Sequence, residues 1–294
     1  MKPAPFEYHV PDSIEETLSL LHKYGSEAKL LAGGQSLVPA MNFRVVQPSV
    51  LIDLNRVSEL DYVREEAGCL RLGAMVRERK LEFDPVISRG SPLLAEVMPH
   101  VAHPQIRNRG TLGGSLANAD PAAELPVIML ALGARLKARN ATSERWVEAR
   151  DFFSGMFTTD LAPDEMLVEI EVPACPPHTG WSFLEVAPRA GDYASMGVAA
   201  LVTVDELDTC KQARLVYLNA GDGPVEAREA AQQLEGAIPS DELFESAAVL
   251  ASEKEINPFG NVHASIEYQR HLANVLTKRA LGIAVKRAGE GSIG

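Results

Sequence analysis

The chain is poor in cysteine, in long apolar runs and in positive charge, and each shortage excludes a class of protein. Its three cysteines, Cys69, Cys175 and Cys210, are scattered singly among 294 residues. They predict neither a disulfide framework nor a metal or iron–sulfur site. No apolar run approaches the ~20 residues of a membrane-spanning helix. The net charge of −12 argues against nucleic acid or an anionic membrane as a partner.

Familiar catalytic signatures are also missing. The sequence contains no G-x-G-x-x-G dinucleotide fingerprint and no Gly-Lys-Ser/Thr phosphate loop. It offers no nucleophile–base pair and no cluster of metal ligands. The first residues, MKPAPFEYHVPDS, lack the apolar core of a signal peptide, so we expect a cytoplasmic protein. A hydrophobic content of 46% gives ample material for the two or three domains that this length suits.

Two similar glycine pairs stand out, one in LLAGGQSL (30–37) and one in GTLGGSLANAD (110–120). Glycine lets backbone N–H groups approach an anion without an intervening Cβ, and successive N–H groups form an anion-binding nest. Ser36, Thr111 and Ser115 add hydroxyl donors, and we expect the second loop to end in a helix N-terminus, which also favours negative charge. Two such loops predict a pyrophosphate held from both sides, although two plain turns remain an open alternative.

Local signals divide the chain into α+β segments. Asp12 is predicted to cap a first helix that ends at Gly25, and Asp120 to cap another that ends at Gly133. Alternating residues over 62–76 predict a hairpin. Three prolines in PACPPHTG (173–180) predict a linker. We therefore expect two α+β subdomains at about 1–57 and 58–175, each holding one glycine loop, and a C-terminal α+β domain over 178–288.

The segments around both glycine pairs carry a resemblance to a known family. LLAGGQSLVPAMNFRVVQPSVLIDLNRVSEL and HPQIRNRGTLGGSLANADPAAELP resemble the FAD-binding medium subunit of molybdenum hydroxylases, the family of carbon monoxide dehydrogenase, xanthine dehydrogenase and quinoline oxidoreductase. RAGDYASMGVAA and SIEYQRHLANVLTKRAL are similar to the family's C-terminal domain. The resemblance implies the FAD-binding fold of the vanillyl-alcohol oxidase and p-cresol methylhydroxylase type, followed by a C-terminal α+β domain of the carbon monoxide dehydrogenase flavoprotein type.

The resemblance also implies a set of FAD-binding residues, and no catalytic residue or metal ligand. They are Ala32, Gly33, Gly34, Gln35, Ser36 and Leu37 in the first motif; Thr111, Leu112, Gly113, Gly114, Ser115, Asn118, Asp120 and Glu124 in and after the second; and Val101, Leu167 and Tyr193 elsewhere.

Two positions depart from the family pattern. Gln35 stands where many members have histidine, and glutamine cannot form a histidyl–flavin bond, so we expect noncovalent FAD. Glu185 stands where many relatives have lysine, so the resemblance carries no FAD contact to it.

Several other residues have a functional and a structural interpretation. Arg107 and Arg109 suit phosphate or a partner subunit, but loop arginines are more often solvated. His103 has no carboxylate partner in its neighbourhood and is expected to be structural. Met156 and Phe157 are expected in the core.

The resemblance implies an electron-transfer subunit of a heterotrimer. A large subunit would hold the molybdopterin cofactor, a small subunit two [2Fe-2S] clusters, and two heterotrimers would pair. FAD on this chain would pass electrons to an external acceptor. Two alternatives stay open: a self-sufficient FAD-dependent oxidase of the same fold, and a nucleotide-binding module without redox activity.

Overall fold

The computed structural model describes residues 1–290 and has the mixed α+β architecture that the sequence predicts. Three main sheets follow one another along the chain, and a two-stranded ribbon is inserted between the last two strands, in chain order, of the second sheet. Across the described residues, no helix is both long and apolar enough to cross a membrane.

The first sheet is parallel, with strand order β1-β3-β2. Helices α1 and α2 connect its strands. The bounds are β1 Glu7–His9, α1 Ile14–Tyr24, β2 Ala28–Leu31, α2 Leu37–Asn42 and β3 Val50–Asp53. The cap of α1 is Ser13 and not the predicted Asp12: Ser13 Oγ accepts the Glu16 N–H at 3.1 Å. Gly25 does end the helix, with φ +52°.

The second sheet is antiparallel, with order β4-β5-β10-β6-β7. Its strands are β4 Val63–Glu66, β5 Cys69–Gly73, β6 Arg135–Arg139, β7 Glu144–Glu148 and β10 Met166–Pro173. The predicted hairpin is β4–β5, and it turns at Ala67 and Gly68, both with positive φ. The ribbon consists of β8 Phe153–Gly155 and β9 Thr158–Thr159.

Seven helices accompany the second sheet: α3 Glu78–Phe83, α4 Pro85–Gly90, α5 Pro92–Val97, α6 Pro104–Arg107, α7 Leu112–Asn118, α8 Glu124–Leu132 and α9 Ala149–Phe152. All nine residues of α8 are buried. A helix that is apolar on every side must be covered on every side. Here the third sheet supplies part of the cover, since Phe183, Leu201 and Val216 belong to the same core as α8.

The third sheet is antiparallel, with β11 Thr179–Val186, β12 Met196–Val204, β13 Cys210–Leu218 and β14 Val225–Glu226 in that order. Its other face packs against α10 Arg228–Gln232, α11 Asp241–Leu250 and α12 Ile266–Gly289. A close approach fixes α12 on the sheet: a Cβ on Gly180 would lie 2.5 Å from the Ala288 nitrogen.

Candidate functional site

The two glycine motifs, 80 positions apart in the sequence, pack against each other. A Cβ on Gly33 would lie 2.8 Å from the Gly110 Cα and closer still to the Arg109 carbonyl oxygen. A Cβ on Gly114 would lie 3.3 Å from the Ala32 Cβ. The structure therefore joins the first and the second sheet through these glycines.

The first motif leaves β2 and turns into α2. Gly34 adopts φ +75°, a conformation that glycine reaches without strain. Gln35 folds back so that its Nε2 donates to the Gly33 carbonyl at 3.0 Å. The backbone N–H groups of this turn therefore lie beside the side-chain amide of Gln35.

The second motif is helical earlier than the sequence predicts. Helix α7 begins at Leu112, with Thr111 as the N-cap, so Gly113 and Gly114 lie in its first turn and not in a preceding loop. Thr111 Oγ1 accepts the Gly114 N–H at 3.1 Å. A Cβ on Gly113 would lie 2.6 Å from that of Ala74. Glycine is needed here for chain packing as well as for any ligand.

A cleft of about 320 Å³ opens beside the first motif, next to Arg109, which precedes the second motif; we call it the glycine cleft. Ten residues line it: Leu31, Ala32, Gly33, Gly34, Gln35, Val38, Pro39, Asp53, Asn55 and Arg109.

Polar side chains brace the floor of the glycine cleft. Asn55 Nδ2 donates to the Ala32 carbonyl at 3.1 Å, and Arg77 Nη2 donates to Asn55 Oδ1 at 2.6 Å. Burial opposes ionisation of Asp53, but hydrogen bonds from Tyr8 and Asn55 outweigh it and hold the pKa of Asp53 below its usual value. Asp53 is therefore a carboxylate.

Arg109 supplies positive charge to the cleft. Its guanidinium makes no hydrogen bond to any of residues 1–290 and is exposed. Burial, and then repulsion from Arg109, lower the pKa of Arg77, so the two guanidinium groups lie near each other. A pair of cations beside a glycine turn suits a phosphate-bearing ligand.

A second set of polar side chains follows α7. Asp120 is not the helix cap that the sequence predicts, because α8 begins at Glu124 with Ala123 at the N-cap position. Asp120 Oδ1 instead accepts the Ala122 N–H at 3.0 Å. Partial burial, and then the carboxylates of Asp120 and Glu124, raise the pKa of Tyr193, so these three side chains are neighbours. Tyr193 is 69% exposed.

Several of the predicted FAD-binding residues are buried in the structure. Val101, Leu112 and Leu167 are 8%, 0% and 5% exposed and belong to the main hydrophobic core. Ser36 is exposed, whereas Leu37, Ser115 and Asn118 are half-buried.

Four expectations about individual side chains have different outcomes. Arg107 is not solvated: it is 4% exposed and its Nε pairs with Glu82 Oε2 at 3.0 Å. Met156 and Phe157 are not in the core, being 48% and 57% exposed. The His103 imidazole makes no hydrogen bond within the described chain and lies against Gly191, which is a packing role.

His100 lies beside a buried carboxylate, and no sequence pattern selects it. Its Nδ1 lies 3.1 Å from Glu185 Oε1. The two residues are 85 positions apart and lie in different elements, so no local pattern could have linked them. Asn55 and Arg77 were missed for the same reason.

Comparison with known proteins agrees with this geometry. Residues 4–175 match the FAD binding domain in molybdopterin dehydrogenase, and residues 181–284 match the CO dehydrogenase flavoprotein C-terminal domain. The chain belongs to the FAD-binding medium subunits of the molybdenum hydroxylases. It is thus an oxidoreductase subunit whose cofactor is FAD.

Individual relatives cover this medium subunit almost end to end. The 6-hydroxypseudooxynicotine dehydrogenase complex subunit alpha of Paenarthrobacter nicotinovorans is 41% identical, over 98% of this chain and 97% of that one. The carbon monoxide dehydrogenase medium chain of Hydrogenophaga pseudoflava is 36% identical, over 98% and 99%.

Two solved structures are also similar to this chain along almost its whole length. Carbon monoxide dehydrogenase from Hydrogenophaga pseudoflava superimposes with a TM-score of 0.95 at 37% identity, over 98% of this chain and 99% of that one. Quinoline 2-oxidoreductase from Pseudomonas putida 86 gives 0.93 at 38% identity, over the same shares.

The residues present fit an FAD. The glycine cleft offers a positive-φ glycine turn, an amide donor and an unpaired guanidinium, which suit the pyrophosphate of a dinucleotide. Within residues 1–290, no group of three or more His, Cys, Asp or Glu side chains is placed to hold a metal ion.

Proposed function

We propose that this medium subunit is the electron-transfer subunit of a heterotrimeric molybdenum hydroxylase. Electrons would come from [2Fe-2S] clusters of a small subunit and leave to an external acceptor, while a large subunit holds the molybdopterin cofactor. Two heterotrimers would form the complete enzyme. The observation that carries the proposal is the packing of the two glycine motifs against each other beside one cleft, in a chain of this family.

The same proposal assigns roles to the chain's own residues. Backbone N–H groups around Gly34 and in the first turn of α7 would donate to the pyrophosphate, with the hydroxyl groups of Ser36 and Ser115 beside them. Arg109 would neutralise phosphate charge. Gln35 offers an amide and no nucleophilic ring nitrogen, so FAD would be held noncovalently. Bound FAD supplies the electron-accepting chemistry that side chains lack.

The order of the three sheets supports the proposed domain organisation, which is an FAD-binding domain over 1–175, with subdomains at about 1–57 and 58–175, and a C-terminal domain over 178–288. The strands of the first two sheets fall within 1–175, and the third sheet and its helices follow from Thr179 to Gly289. The remaining residues of the proposed FAD site are Ala32, Gly33, Leu37, Val101, Thr111, Leu112, Gly113, Gly114, Asn118, Asp120, Glu124, Leu167 and Tyr193.

A pair of glycine variants tests the location of the cofactor. Gly34 and Gly68 have nearly equal backbone angles, φ +75° and +76°, so alanine strains both about equally. Only Gly34 lines the glycine cleft, and a Cβ on Gly68 meets nothing within 4 Å. We expect Gly34→Ala to lose FAD at least tenfold more readily than Gly68→Ala, measured by flavin absorbance per folded chain. Equal FAD content in the two variants would contradict the assignment.

A spectrum of the native complex tests the electron pathway. We expect flavin bands superimposed on iron–sulfur absorption, both bleached by anaerobic dithionite. Flavin on a solitary chain that turns over a substrate would favour the self-sufficient oxidase. A protein that binds no FAD after reconstitution would favour a module without redox activity.

A further inference from the structure

His100, Glu124 and Glu185 form a group of titratable side chains that the proposed electron pathway does not use; we call it the carboxylate–histidine cluster. His100 Nδ1 lies 3.1 Å from Glu185 Oε1. The Glu185 side chain is only 7% exposed, and its other oxygen, Oε2, is buried without a hydrogen-bond partner in the described chain. A buried carboxylate oxygen in that state is costly, so it favours a proton donor nearby.

Glu124 is the second buried carboxyl group of the cluster. It is 7% exposed, in the first turn of α8. Burial first, and then repulsion from Glu185, raise the pKa of Glu124 to about 8. The hydrogen bond to Glu185 is the main cause of a raised pKa at His100. Near neutral pH Glu124 therefore holds a proton, and the raised pKa of His100 favours its protonated form beside Glu185.

Other charged groups around the cluster are few. Asp120 and Tyr193 lie beside Glu124, and Glu78 adds weak repulsion. The remaining charged side chains on elements packed against α8 and β11 are paired elsewhere or exposed: Glu96 (with Arg287), Arg150, Asp151, Glu169 and Glu171 (both with Arg71), Lys211 (with Asp205), Arg214 (with Glu226), Glu267, Arg270 (with the Ser252 carbonyl), Lys278 (with Glu245), Arg279, and Lys286 (with Glu290).

The cluster is close enough to the glycine motifs to sense charge there. Asp120, the neighbour of Glu124, follows directly on α7, whose first turn carries the second motif. A seven-residue helix is ~10 Å long, which sets the separation. FAD brings two phosphate charges to the motifs, and at ~10 Å such charges still interact through water and protein.

We propose that the carboxylate–histidine cluster links FAD binding to proton uptake, so that the subunit holds its cofactor more tightly in the protonated state of the cluster. The inference rests on the proposed FAD site. Linkage is reciprocal: because deprotonating Glu124 and His100 lowers the net charge of the cluster by two, bound FAD must in turn favour the protonated forms. Loss of both protons weakens FAD binding by roughly tenfold at this separation.

The test is a pair of titrations on the full-length chain freed of FAD. Quenching of flavin fluorescence gives the dissociation constant from pH 6 to pH 9.5, and calorimetry at pH 8 in buffers of different ionisation enthalpy gives the number of protons taken up. We expect affinity to fall about tenfold towards high pH and proton uptake to be positive. Glu124→Gln is expected to remove most of both effects.

Two further variants shift the transition in opposite directions. Glu185→Gln removes the repulsion that raises the pKa of Glu124, so the transition moves to lower pH. His100→Gln removes a stabilising cation, so it moves to higher pH. A merely structural role would lower affinity evenly at every pH. Glu165→Gln is the matched control, because Glu165 is also buried, at 8% exposed, but pairs with Arg145 outside the site.

The outcomes separate the two proposals. FAD that binds with a pH-independent affinity and no proton uptake would overturn the link to the cluster and leave the FAD site intact. A chain that binds no FAD at any pH, while folded by circular dichroism, would contradict the proposed function itself.

Discussion

Replacing Glu78 with glutamine tests the electrostatics of the chain beneath the second glycine motif. Glu78 is 5% exposed, and its side chain lies against Gly110, where a Cβ would come within 2.5 Å of the Glu78 Cδ. Its Oε2 has no hydrogen-bond partner among residues 1–290. Burial raises the pKa of Glu78 to about 7, although Arg107 and Arg77 pull it down. The ionised form is thus disfavoured in the folded chain.

The sign and size of the effect follow from that pKa. A carboxyl group with a folded pKa above its unfolded value contributes stability below the unfolded pKa, and that stability is lost as the pH rises through the folded pKa. Because the pKa rises from 4.5 in the unfolded chain to about 7 in the folded chain, the complete loss is ~3 kcal/mol. Between pH 5.5 and pH 8.5 the loss of unfolding free energy is ~2 kcal/mol, because the wild type has already lost part of this stability at pH 5.5.

Glutamine cannot ionise, so Glu78→Gln avoids this loss. We expect the free energy of unfolding of the variant, relative to wild type, to improve by ~2 kcal/mol from pH 5.5 to pH 8.5. An unpaired amide costs ~1–3 kcal/mol at every pH and therefore cancels from this difference. Denaturant unfolding of the FAD-free chain at both pH values measures it. Glu66→Gln, at an exposed position, is the control. A difference that does not change with pH would refute the reasoning.

We predict opposite effects on FAD affinity and on stability for substitutions of the two arginines that precede the second motif. Arg109→Gln removes the unpaired cation of the glycine cleft, so we expect FAD affinity to fall about tenfold and to become less sensitive to salt, with unfolding unchanged; calorimetry at two salt concentrations checks this. Arg107→Gln leaves Glu82 with only the exposed Arg79 as partner and removes the hydrogen bonds to the Val101 and Ala102 carbonyls, so we expect a loss of ~2 kcal/mol in unfolding free energy and nearly unchanged FAD affinity in the folded fraction. A stable Arg107→Gln with impaired FAD binding would reverse the two assignments.

The sequence predicted the α+β fold, the family and the two glycine motifs because these depend on local patterns. Helix caps were placed less well. Asp12 and Ser13 are adjacent cap formers, and only the hydrogen bond from Glu16 to Ser13 distinguishes them. Asp120 is satisfied by its own turn, which sequence cannot distinguish from a cap.

Side-chain environments that depend on distant residues were beyond prediction. Arg107 is buried because Glu82, on another helix, neutralises it. Phe157 is exposed because it lies at the turn between β8 and β9, with φ +54°. The pairing of His100 with Glu185 requires the third sheet to pack beside α5, a contact that no local periodicity encodes.

The glycines of the two motifs have different physical reasons to be glycine, and the difference bears on how the site forms. Gly34 needs its positive φ, whereas Gly33 and Gly113 must allow backbone or Cβ atoms of other segments to approach. The full lining of the glycine cleft, nine residues of the first subdomain together with Arg109, is therefore assembled only when the first sheet is packed on the second. A ligand that binds the packed state alone stabilises it by mass action, in proportion to its concentration over its dissociation constant. FAD bound at the proposed site would accordingly also stabilise the packing of the first sheet on the second.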